Sequence, residues 1–289
     1  MKAAVIIGGG PAGCQCALWL TMLGHEIVLV EQRKQLGGLQ ALSPYQNNWI
    51  AGVMNTTGRE FAKQIEQHIQ KMDIPVFLGS VVTSLKREAD YFSVRIGHEK
   101  FDAHYLVIAT GVIPRRENLI ASDHILIGPG ENIYHGQFKN KRIAILGGGD
   151  NAAENYAFIM QQQPTLCHVY TRTVRARKHL WDKVNQRDVF QSPYAVNQTA
   201  MSIKNDNETR TYDLIIVMYG WEANFPEILL PFKEELVDDR GFILTDAHCR
   251  TPVNGMYAIG EVANRMHPCV ITSMADGVVA AKAVQEALE

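Results

Sequence analysis

Continuous apolar runs interrupted by glycine dominate the start of the chain. Residues 3–7 (Ala-Ala-Val-Ile-Ile) end directly at Gly8-Gly-Gly-Pro-Ala-Gly13. An apolar run of that length, bounded by glycine, is typical of a strand buried on both faces of a parallel sheet. After a helical stretch and Gly24, residues 27–30 form a second such run. The pattern therefore predicts a β-α-β unit at the N-terminus.

The same order of elements returns in the middle of the chain. Residues 142–146 (Arg-Ile-Ala-Ile-Leu) predict a strand, and Gly147-Gly-Gly-Asp-Asn-Ala152 predicts a tight turn. A helix is expected over residues 153–160 and another strand over residues 166–170. The chain therefore contains two similar β-α-β units.

Further apolar runs complete the two units. Residues 104–111 and 213–220 each close on a glycine, and residues 256–259 form a third run that precedes a helix reaching the C-terminus. Alternating segments within residues 76–101, such as residues 92–96, predict antiparallel strands added beside the first unit. Each long run is expected to extend the parallel sheet of its own unit.

The predicted fold class is α/β, with two Rossmann-like (three-layer ββα) nucleotide-binding domains, the second inserted in the first. The first domain is predicted to comprise residues 1–112 and 242–289, and the inserted domain residues 113–241. Linkers are expected at residues 113–116 and 238–241, where proline, glycine and charged residues concentrate.

Composition narrows the classes of partner. The chain has 289 residues, of which 46% are hydrophobic and 20% charged, which is enough to bury the cores of two domains. A net charge of −2 predicts no surface for nucleic acid or an anionic membrane. No apolar run approaches the roughly 18 residues of a spanning helix. The apolar N-terminus lacks a basic lead-in and a cleavage site, so a cytoplasmic protein is expected.

Five cysteines occur, at positions 14, 16, 167, 249 and 269. They form no C-x-x-C pair and no metal-ligand spacing, so the sequence predicts neither a disulfide framework nor a metal site. Cys14 and Cys16 lie two apart on a predicted helix and point to different faces, so they are expected to be small buried residues.

The first glycine-rich turn has the G-x-G-x-x-G spacing of a dinucleotide site. Gly8 is expected to form the tight turn, Gly10 to let the backbone approach a pyrophosphate, and Gly13 to let the helix pack on the strand. The N–H groups and dipole of that helix face the anion. Glu31 ends the next strand, about 20 residues on, where a ribose-binding carboxylate is expected.

The second turn predicts a second nucleotide site of a different kind. The strand that follows it ends at Thr171-Arg172 rather than at an acid, and Arg175 and Arg177 come next. Basic side chains at this place favour the 2′-phosphate of NADP over NAD. The alternative is a solvated basic loop.

An acid and a helix N-terminus also meet after residues 256–259. Gly260-Glu261 follows that strand, and residues 271–277 lead into the last helix. In a flavin site such groups would hold the ribityl and pyrophosphate side of the cofactor and place a helix dipole against the flavin ring.

Taken in order, the motifs resemble the low-molecular-weight thioredoxin reductase family of flavoproteins. The resemblance runs nearly end to end through Gly8-Gly-Gly-Pro-Ala-Gly13, Glu31, Gly37-Gly-Leu-Gln40, Asn48-Trp49, Ala109-Thr-Gly111, Gly147-Gly-Gly-Asp150 and Tyr257-Ala-Ile-Gly-Glu261. It implies an FAD domain and an inserted NADP domain, usually in a homodimer. It also implies hydride transfer from nicotinamide to flavin and then onward.

The resemblance also implies the residues of both sites. For FAD they are Gly8, Gly10, Pro11, Ala12, Gly13, Glu31, Gly38, Gln40, Asn48, Val82, Ala109, Thr110, Gly111, Gly260, Glu261, Val270 and Ile271. For NADP they are Gly147, Gly149, Asp150, Asn151, Ala152, Arg172 and Arg177.

Three departures from the family pattern change the expected chemistry. Where the family carries its redox-active C-x-x-C, this chain has Gly130-Glu-Asn-Ile133, so the usual thiol–disulfide relay is not expected. The segment between Arg177 and Asp213 is short, and Thr171 and Thr173 replace basic residues. The family's aspartate is Glu261 here, which keeps a carboxylate acceptor for FAD.

His267-Pro-Cys269 occupies the position that abuts the flavin ring in relatives. One hypothesis is that Cys269 forms a flavin adduct or mixed disulfide while His267 lowers its pKa or shuttles a proton. The alternative is that both side chains simply line the pocket.

The resulting prediction is an FAD-dependent oxidoreductase, linked to NADPH, with an electron acceptor other than a cysteine pair. One alternative is a ferredoxin or flavodoxin–NADP reductase, although those relatives usually carry a C-terminal extension and this chain ends at Glu289. Another is an FAD-binding redox sensor that has lost its use of NADPH. The protein or small molecule that exchanges electrons with it stays open.

Overall fold

The computed structural model describes residues 1–206, 208–265 and 267–289. The chain forms two compact units. The first comprises Met1–Ile113 and Glu222–Glu289, and the second comprises Pro114–Trp221. Two short strands, β7 (Val112–Pro114) and β16 (Trp221–Ala223), lie where the chain passes from one unit to the other.

The first unit is built on a seven-stranded sheet. Its strands, numbered along the chain, are β1 (Lys2–Ile7), β2 (Ile27–Glu31), β3 (Val76–Leu78), β4 (Val82–Arg87), β5 (Phe92–Ile96), β6 (Glu99–Ile108) and β17 (Met256–Ala258). The order is β3-β2-β1-β6-β5-β4, with β17 also paired to β6. Strands β3, β2, β1, β6 and β17 pair in parallel, whereas β4, β5 and the first half of β6 pair antiparallel. The antiparallel prediction for residues 76–101 is therefore confirmed for β4, β5 and the start of β6 but is wrong for β3, which extends the parallel part of the sheet beside β2.

Three main helices cover this sheet: α1 (Pro11–Met22), α2 (Gly58–Lys71) and α7 (Val270–Leu288). Helix α2 begins with a capping box, in which the Thr57 hydroxyl accepts from the Glu60 N–H and the Glu60 carboxylate accepts from the Thr57 N–H. Small residues of α1 and α7 share one buried cluster, which includes Ala17, Ala280 and Val284. No helix among the described residues is long and apolar enough to cross a membrane.

The second unit has a five-stranded parallel sheet of order β11-β10-β9-β15-β8 and an antiparallel sheet of order β12-β13-β14. The strands are β8 (Ile125–Ile127), β9 (Arg142–Leu146), β10 (Leu166–Tyr170), β11 (Val189–Phe190), β12 (Tyr194–Asn197), β13 (Ser202–Asn205), β14 (Glu208–Thr211) and β15 (Leu214–Val217). Its helices are α3 (Glu131–Tyr134), α4 (Asp150–Met160) and α5 (Lys178–Trp181). Buried side chains of β9, β10 and β15 form the centre of this unit.

The chain returns from the second unit to the first about 20 residues earlier than the sequence predicts. Residues 222–241, expected in the inserted domain, lie in the first unit. They contain α6 (Lys233–Leu236), and the buried Leu229 and Leu236 belong to the same apolar cluster as Val82 and Ile243. Burial of these leucines on the first sheet places the segment there, although its sequence follows the last strand of the second unit.

Candidate functional site

The carboxyl ends of three parallel strands meet at one edge of the first sheet. Ile7 of β1 lies opposite Ile108 of β6, and Ala258 of β17 also lies opposite Ile108. The turns that follow these strands therefore come together. In open parallel sheets this edge is where ligands bind.

The first turn leaves room for a ligand at one glycine and none at another. A Cβ built on Gly10 would have the Gly38 Cα as its nearest neighbour, at 3.8 Å. A Cβ on Gly13 would come within 1.9 Å of the Gly8 carbonyl oxygen. Gly10 precedes α1, which has neither a side-chain cap nor an acidic residue in its first turn. The helix N-terminus therefore offers N–H groups and a positive dipole end to an anion.

Glu31, the last residue of β2, joins the turn from the side. Its side chain is buried, and its two carboxylate oxygens accept hydrogen bonds from the N–H groups of Gly9, at 2.6 Å, and Arg33, at 2.7 Å. A carboxylate oxygen has two lone pairs, so each can accept one bond more. The carboxylate is held in a fixed position with acceptor capacity for ribose hydroxyls.

A 3-10 helix, Gly38–Leu42, packs against the same turn. Gln40 accepts a hydrogen bond from the Asn47 side-chain amide at 2.8 Å, whereas Asn48, the residue predicted from the sequence, is exposed. Asn48 as an FAD contact stays a prediction, which rests on the resemblance of Asn48-Trp49 to the family motif, and the sequence did not predict the Asn47–Gln40 contact. Val82 is buried as the first residue of β4.

The turn after β6 carries a buried hydroxyl without a partner. Thr110 Oγ1 has no hydrogen-bond partner among the described residues, although it is out of contact with solvent. Asn224 holds this turn: its side-chain amide donates to the Thr110 carbonyl oxygen at 3.2 Å and its N–H to the Gly111 carbonyl oxygen at 2.9 Å. An unsatisfied buried hydroxyl is costly, and a bound ligand would satisfy it. Sequence reasoning identified Ala109, Thr110 and Gly111 but missed Asn224.

The turn after β17 is also held by a distant side chain. The Asp276 carboxylate of α7 accepts from the Gly260 N–H at 3.2 Å and forms an ion pair with Arg265, whose Nε lies 3.2 Å from Oδ1. Burial raises the pKa of the Glu261 carboxyl beside it. Asp276 and Arg265 were not predicted; the signal for Asp276 is an acid on a helix otherwise rich in small apolar residues.

Cys269 lies at the N-terminus of α7, directly before Val270 and the exposed Ile271. Partial burial raises the pKa of its thiol, but hydrogen bonds from the Thr272 hydroxyl and from the N–H groups of Thr272 and Ile271 outweigh it, and the net shift is downward. His267 is exposed, and its influence on the Cys269 thiol stays a prediction.

The second turn repeats the open geometry in the second unit. No atom lies within 4 Å of a Cβ built on Gly149, which precedes α4, whereas one built on Gly147 would meet the Met218 carbonyl oxygen at 2.2 Å. Ala152 is buried, and the Asn151 carbonyl oxygen accepts from the Asn155 side-chain amide at 2.7 Å. The site thus has an unobstructed helix N-terminus.

The basic loop after β10 folds back on this turn. The N–H groups of Arg175 and Ala176 donate to the Gly148 carbonyl oxygen at 2.7 and 2.9 Å. Asp150 accepts from both the N–H and the Nε of Arg177, at 2.7 and 2.8 Å. Arg172 is exposed, with its Nη2 3.9 Å from a Glu117 oxygen. Arg172 and Arg177 were both predicted to bind the 2′-phosphate of NADP. The structure leaves Arg172 facing solvent, whereas Arg177 is paired with Asp150, another predicted site residue.

The residues present fit the predicted cofactors. The open helix N-terminus at Gly10, the fixed Glu31 carboxylate and the unpartnered Thr110 hydroxyl suit the pyrophosphate, ribose and flavin side of FAD. The second turn suits the pyrophosphate of a pyridine nucleotide.

Comparisons with known proteins agree with this geometry. The family described as "Pyridine nucleotide-disulphide oxidoreductase" matches residues 2–282. The chain is 28% identical over 281 residues to a ferredoxin–NADP reductase of Limosilactobacillus fermentum, a match that covers 89% of this chain and 84% of that protein. It is 26% identical to a ferredoxin–NADP reductase of Lactococcus lactis subsp. cremoris, with 99% and 94% covered.

Among solved structures, the Lactococcus lactis thioredoxin reductase in its FR conformation superposes with a TM-score of 0.79 at 21% identity. The match covers 99% of this chain and 98% of that chain. Identity at that level establishes the fold. It confirms the predicted arrangement of two Rossmann-like units.

Proposed function

This chain belongs to the pyridine nucleotide-disulphide oxidoreductase family, and from that premise we propose that it moves electrons between NADPH and an acceptor other than a cysteine pair. As the sequence predicts, it is an FAD-dependent oxidoreductase. What remains to be proposed is the route by which electrons reach and leave the flavin.

The main support is the combination of two open dinucleotide turns with thiols that cannot form a relay. Residues 130–133 contain no cysteine at the place where the resemblance expects the redox pair. Burial raises the thiol pKa of Cys14, Cys16, Cys167 and Cys249. Thiol–disulfide exchange needs an exposed thiolate and a resolving partner. We therefore do not expect this protein to reduce a disulfide substrate by the usual thiol–disulfide relay.

The residues of the first unit have separate tasks in this proposal. The N-terminus of α1 binds the pyrophosphate, Glu31 accepts from the ribose, and Thr110 and Glu261 contact the flavin side. FAD, when bound, supplies a ring that takes up hydride and passes electrons on singly or in pairs. Asn224 and Asp276 keep the two flavin-side turns in place through the hydrogen bonds described above.

In the second unit, the exposed Arg172 and Arg175 are the groups that we propose to read a 2′-phosphate. Arg177 instead neutralises Asp150 and holds the loop on the turn. Since a carboxylate at a helix N-terminus competes with a pyrophosphate for the same dipole, this neutralisation favours binding of either pyridine nucleotide.

A second candidate is a reductase that exchanges electrons between NADPH and a ferredoxin. The observation in its favour is the name shared by the two sequence relatives, both of which are ferredoxin–NADP reductases. This candidate has the same donor and differs from the first only in specifying a one-electron protein acceptor.

An anaerobic titration of the purified protein with NADPH, then NADH, followed by flavin absorbance, tests the donor. We expect bleaching by NADPH at lower concentration than by NADH. If neither nucleotide bleaches a flavin that dithionite reduces, the proposed donor is wrong and a sensor without NADPH use is supported. Adding oxidised ferredoxin, flavodoxin or a disulfide substrate to the reduced protein then separates the acceptors.

We also propose that the protein is a homodimer in the cytoplasm. The support is the resemblance of its motifs to those of dimeric flavoproteins. Light scattering of the purified protein tests the dimer.

We further propose that the Cys269 thiol reacts near the flavin. The support is the lowered pKa of this thiol at the start of α7. The turnover of Cys269→Ser tests this role, and unchanged turnover would contradict it.

A further inference from the structure

Arg33 lies beside the first dinucleotide turn, in a position that no motif of the chain predicts. It follows Glu31 by two residues, and its own N–H donates to the Glu31 carboxylate. Its guanidinium Nη1 donates to the Gly38 carbonyl oxygen at 3.0 Å. The side chain therefore spans from the end of β2 to the start of the 3-10 helix.

Gly38 locates the guanidinium relative to helix α1. A Cβ built on Gly38 would lie 3.0 Å from the Gly10 Cα and 3.6 Å from the Pro11 Cδ. The Gly37 N–H also donates to the Gly9 carbonyl oxygen at 2.8 Å. The backbone that receives the Arg33 hydrogen bond is thus packed directly on the first residues of α1. The guanidinium and the N-terminus of α1 share one small region.

The charge of Arg33 is not neutralised within that region. The structure records no ion pair for its half-buried guanidinium among the described residues. Glu31 is the nearest acid in sequence, but its oxygens accept from the N–H groups of Gly9 and Arg33. A guanidinium has five N–H donors, and one of them is used here. A cation with spare donors next to a positive helix terminus is a strong arrangement for an anion.

We propose that Arg33 binds the pyrophosphate of FAD and supplies a charge-assisted contact in addition to the N-terminus of α1. The proposal rests on FAD being the ligand of the first unit. It makes Arg33 a cofactor-binding residue, and it predicts that part of the FAD affinity is electrostatic and weakens with salt.

The test compares Arg33→Leu with Lys34→Leu in the full-length protein. Lys34 is the next basic residue and is exposed, so its replacement changes the net charge equally without touching the turn. The dissociation constant of FAD is measured from the flavin fluorescence released on dilution, at low and high ionic strength. We expect Arg33→Leu to raise the dissociation constant about tenfold or more, as for loss of a charge-assisted hydrogen bond. We also expect the FAD dissociation constant of Arg33→Leu to change less between low and high salt than that of the wild type. Lys34→Leu should have a dissociation constant and a salt dependence close to those of the wild type.

A role limited to packing would give a different result. If Arg33→Leu weakens FAD binding equally at low and high salt, or matches Lys34→Leu, the proposal is overturned. Arg33→Lys keeps the charge, so it should retain the salt dependence while losing part of the affinity. Should Arg33→Leu fail to fold, as judged by circular dichroism, Arg33→Lys and Arg33→Gln make the same comparison of salt dependence.

The outcome is independent of the proposed electron donor. Failure of the wild-type protein to bind FAD at all would contradict the cofactor assignment itself. Normal reduction by NADPH together with unchanged FAD affinity in Arg33→Leu would remove only the role of Arg33. If Arg33→Leu binds FAD more weakly and with little salt dependence, but NADPH does not reduce the wild-type flavin, the role of Arg33 is supported and only the proposed electron donor is wrong.

Discussion

Arg177 and Asp150 form a two-point contact, in which the Arg177 N–H and Nε donate to the two oxygens of the Asp150 carboxylate. This contact ties the basic loop to the first residue of α4. We therefore expect Arg177 to shape the site for both NADPH and NADH rather than to distinguish between them.

Replacement of Arg177 should therefore affect both nucleotides. We expect Arg177→Leu to raise the KM for NADPH and NADH by a similar factor, about two- to fivefold, as for a half-exposed ion pair. Arg172→Leu should raise the KM for NADPH alone. Steady-state kinetics with both nucleotides check this, with Lys178→Leu as a control on an exposed neighbour. A selective loss of NADPH in Arg177→Leu would restore the phosphate-reading role.

Two glycines of the first turn should respond in opposite ways to the same substitution. Gly10→Ala meets nothing closer than 3.8 Å, so the fold should keep its stability while FAD binds more weakly. Gly13→Ala would clash with the Gly8 carbonyl oxygen and should lower the free energy of unfolding by about 1–3 kcal/mol or more. Thermal melts without flavin, paired with FAD dissociation constants, separate the two effects. Equal melting temperatures for both variants would contradict the packing role of Gly13.

Loss of the Glu31 carboxylate should destabilise the protein even without cofactor. Glu31→Ala leaves the N–H groups of Gly9 and Arg33 without their acceptor, at a cost of about 1–3 kcal/mol for each group that stays buried. Glu31→Gln keeps one acceptor oxygen and should lose less. Urea unfolding measures the difference. Glu26→Ala, which removes an exposed ion pair with Lys2, should leave the free energy of unfolding nearly unchanged.

The Thr110 hydroxyl should matter only when the cofactor is bound. Thr110→Val removes a buried hydroxyl that has no partner among the described residues, so the flavin-free protein should be as stable as wild type or slightly more stable. FAD affinity should fall, because the contact proposed for that hydroxyl is lost. Differential scanning fluorimetry with and without FAD measures both quantities. A large destabilisation without FAD would mean that the hydroxyl serves the fold.

The Cys269 thiol should react faster at neutral pH than an ordinary cysteine. Its pKa is lowered, so its thiolate fraction at pH 7 exceeds that of an unperturbed thiol. Thr272→Val removes one hydrogen-bond donor to the sulfur and should raise that pKa, which slows alkylation at pH 7 and shifts the midpoint upward. The rate of iodoacetamide modification against pH, followed by mass spectrometry, measures this shift. His267→Asn should leave the midpoint unchanged, and a comparable shift there would support the original role of the imidazole.

Local sequence patterns were sufficient to predict the strands and the glycine-rich turns that form the site. Strands β1, β9 and β10 occupy the predicted runs closely, because an apolar run that ends at glycine specifies both a buried strand and the turn after it. The close packing of Gly13 follows from the same short motif, since the Gly8 carbonyl oxygen that it meets lies five residues away. The α/β fold with two nucleotide-binding units was predictable for this reason.

Contacts between distant segments could be decided only by the tertiary structure. Asn224 reaches the Thr110 turn across 114 residues, and Asp276 reaches Gly260 from a different element. The assignment of residues 222–241 to the first unit depends on which sheet buries Leu229 and Leu236. Sequence determined the backbone turns that would receive the ligands, because their geometry is local. Only folding decided the side chains that hold those turns, because each comes from a segment whose position depends on long-range packing.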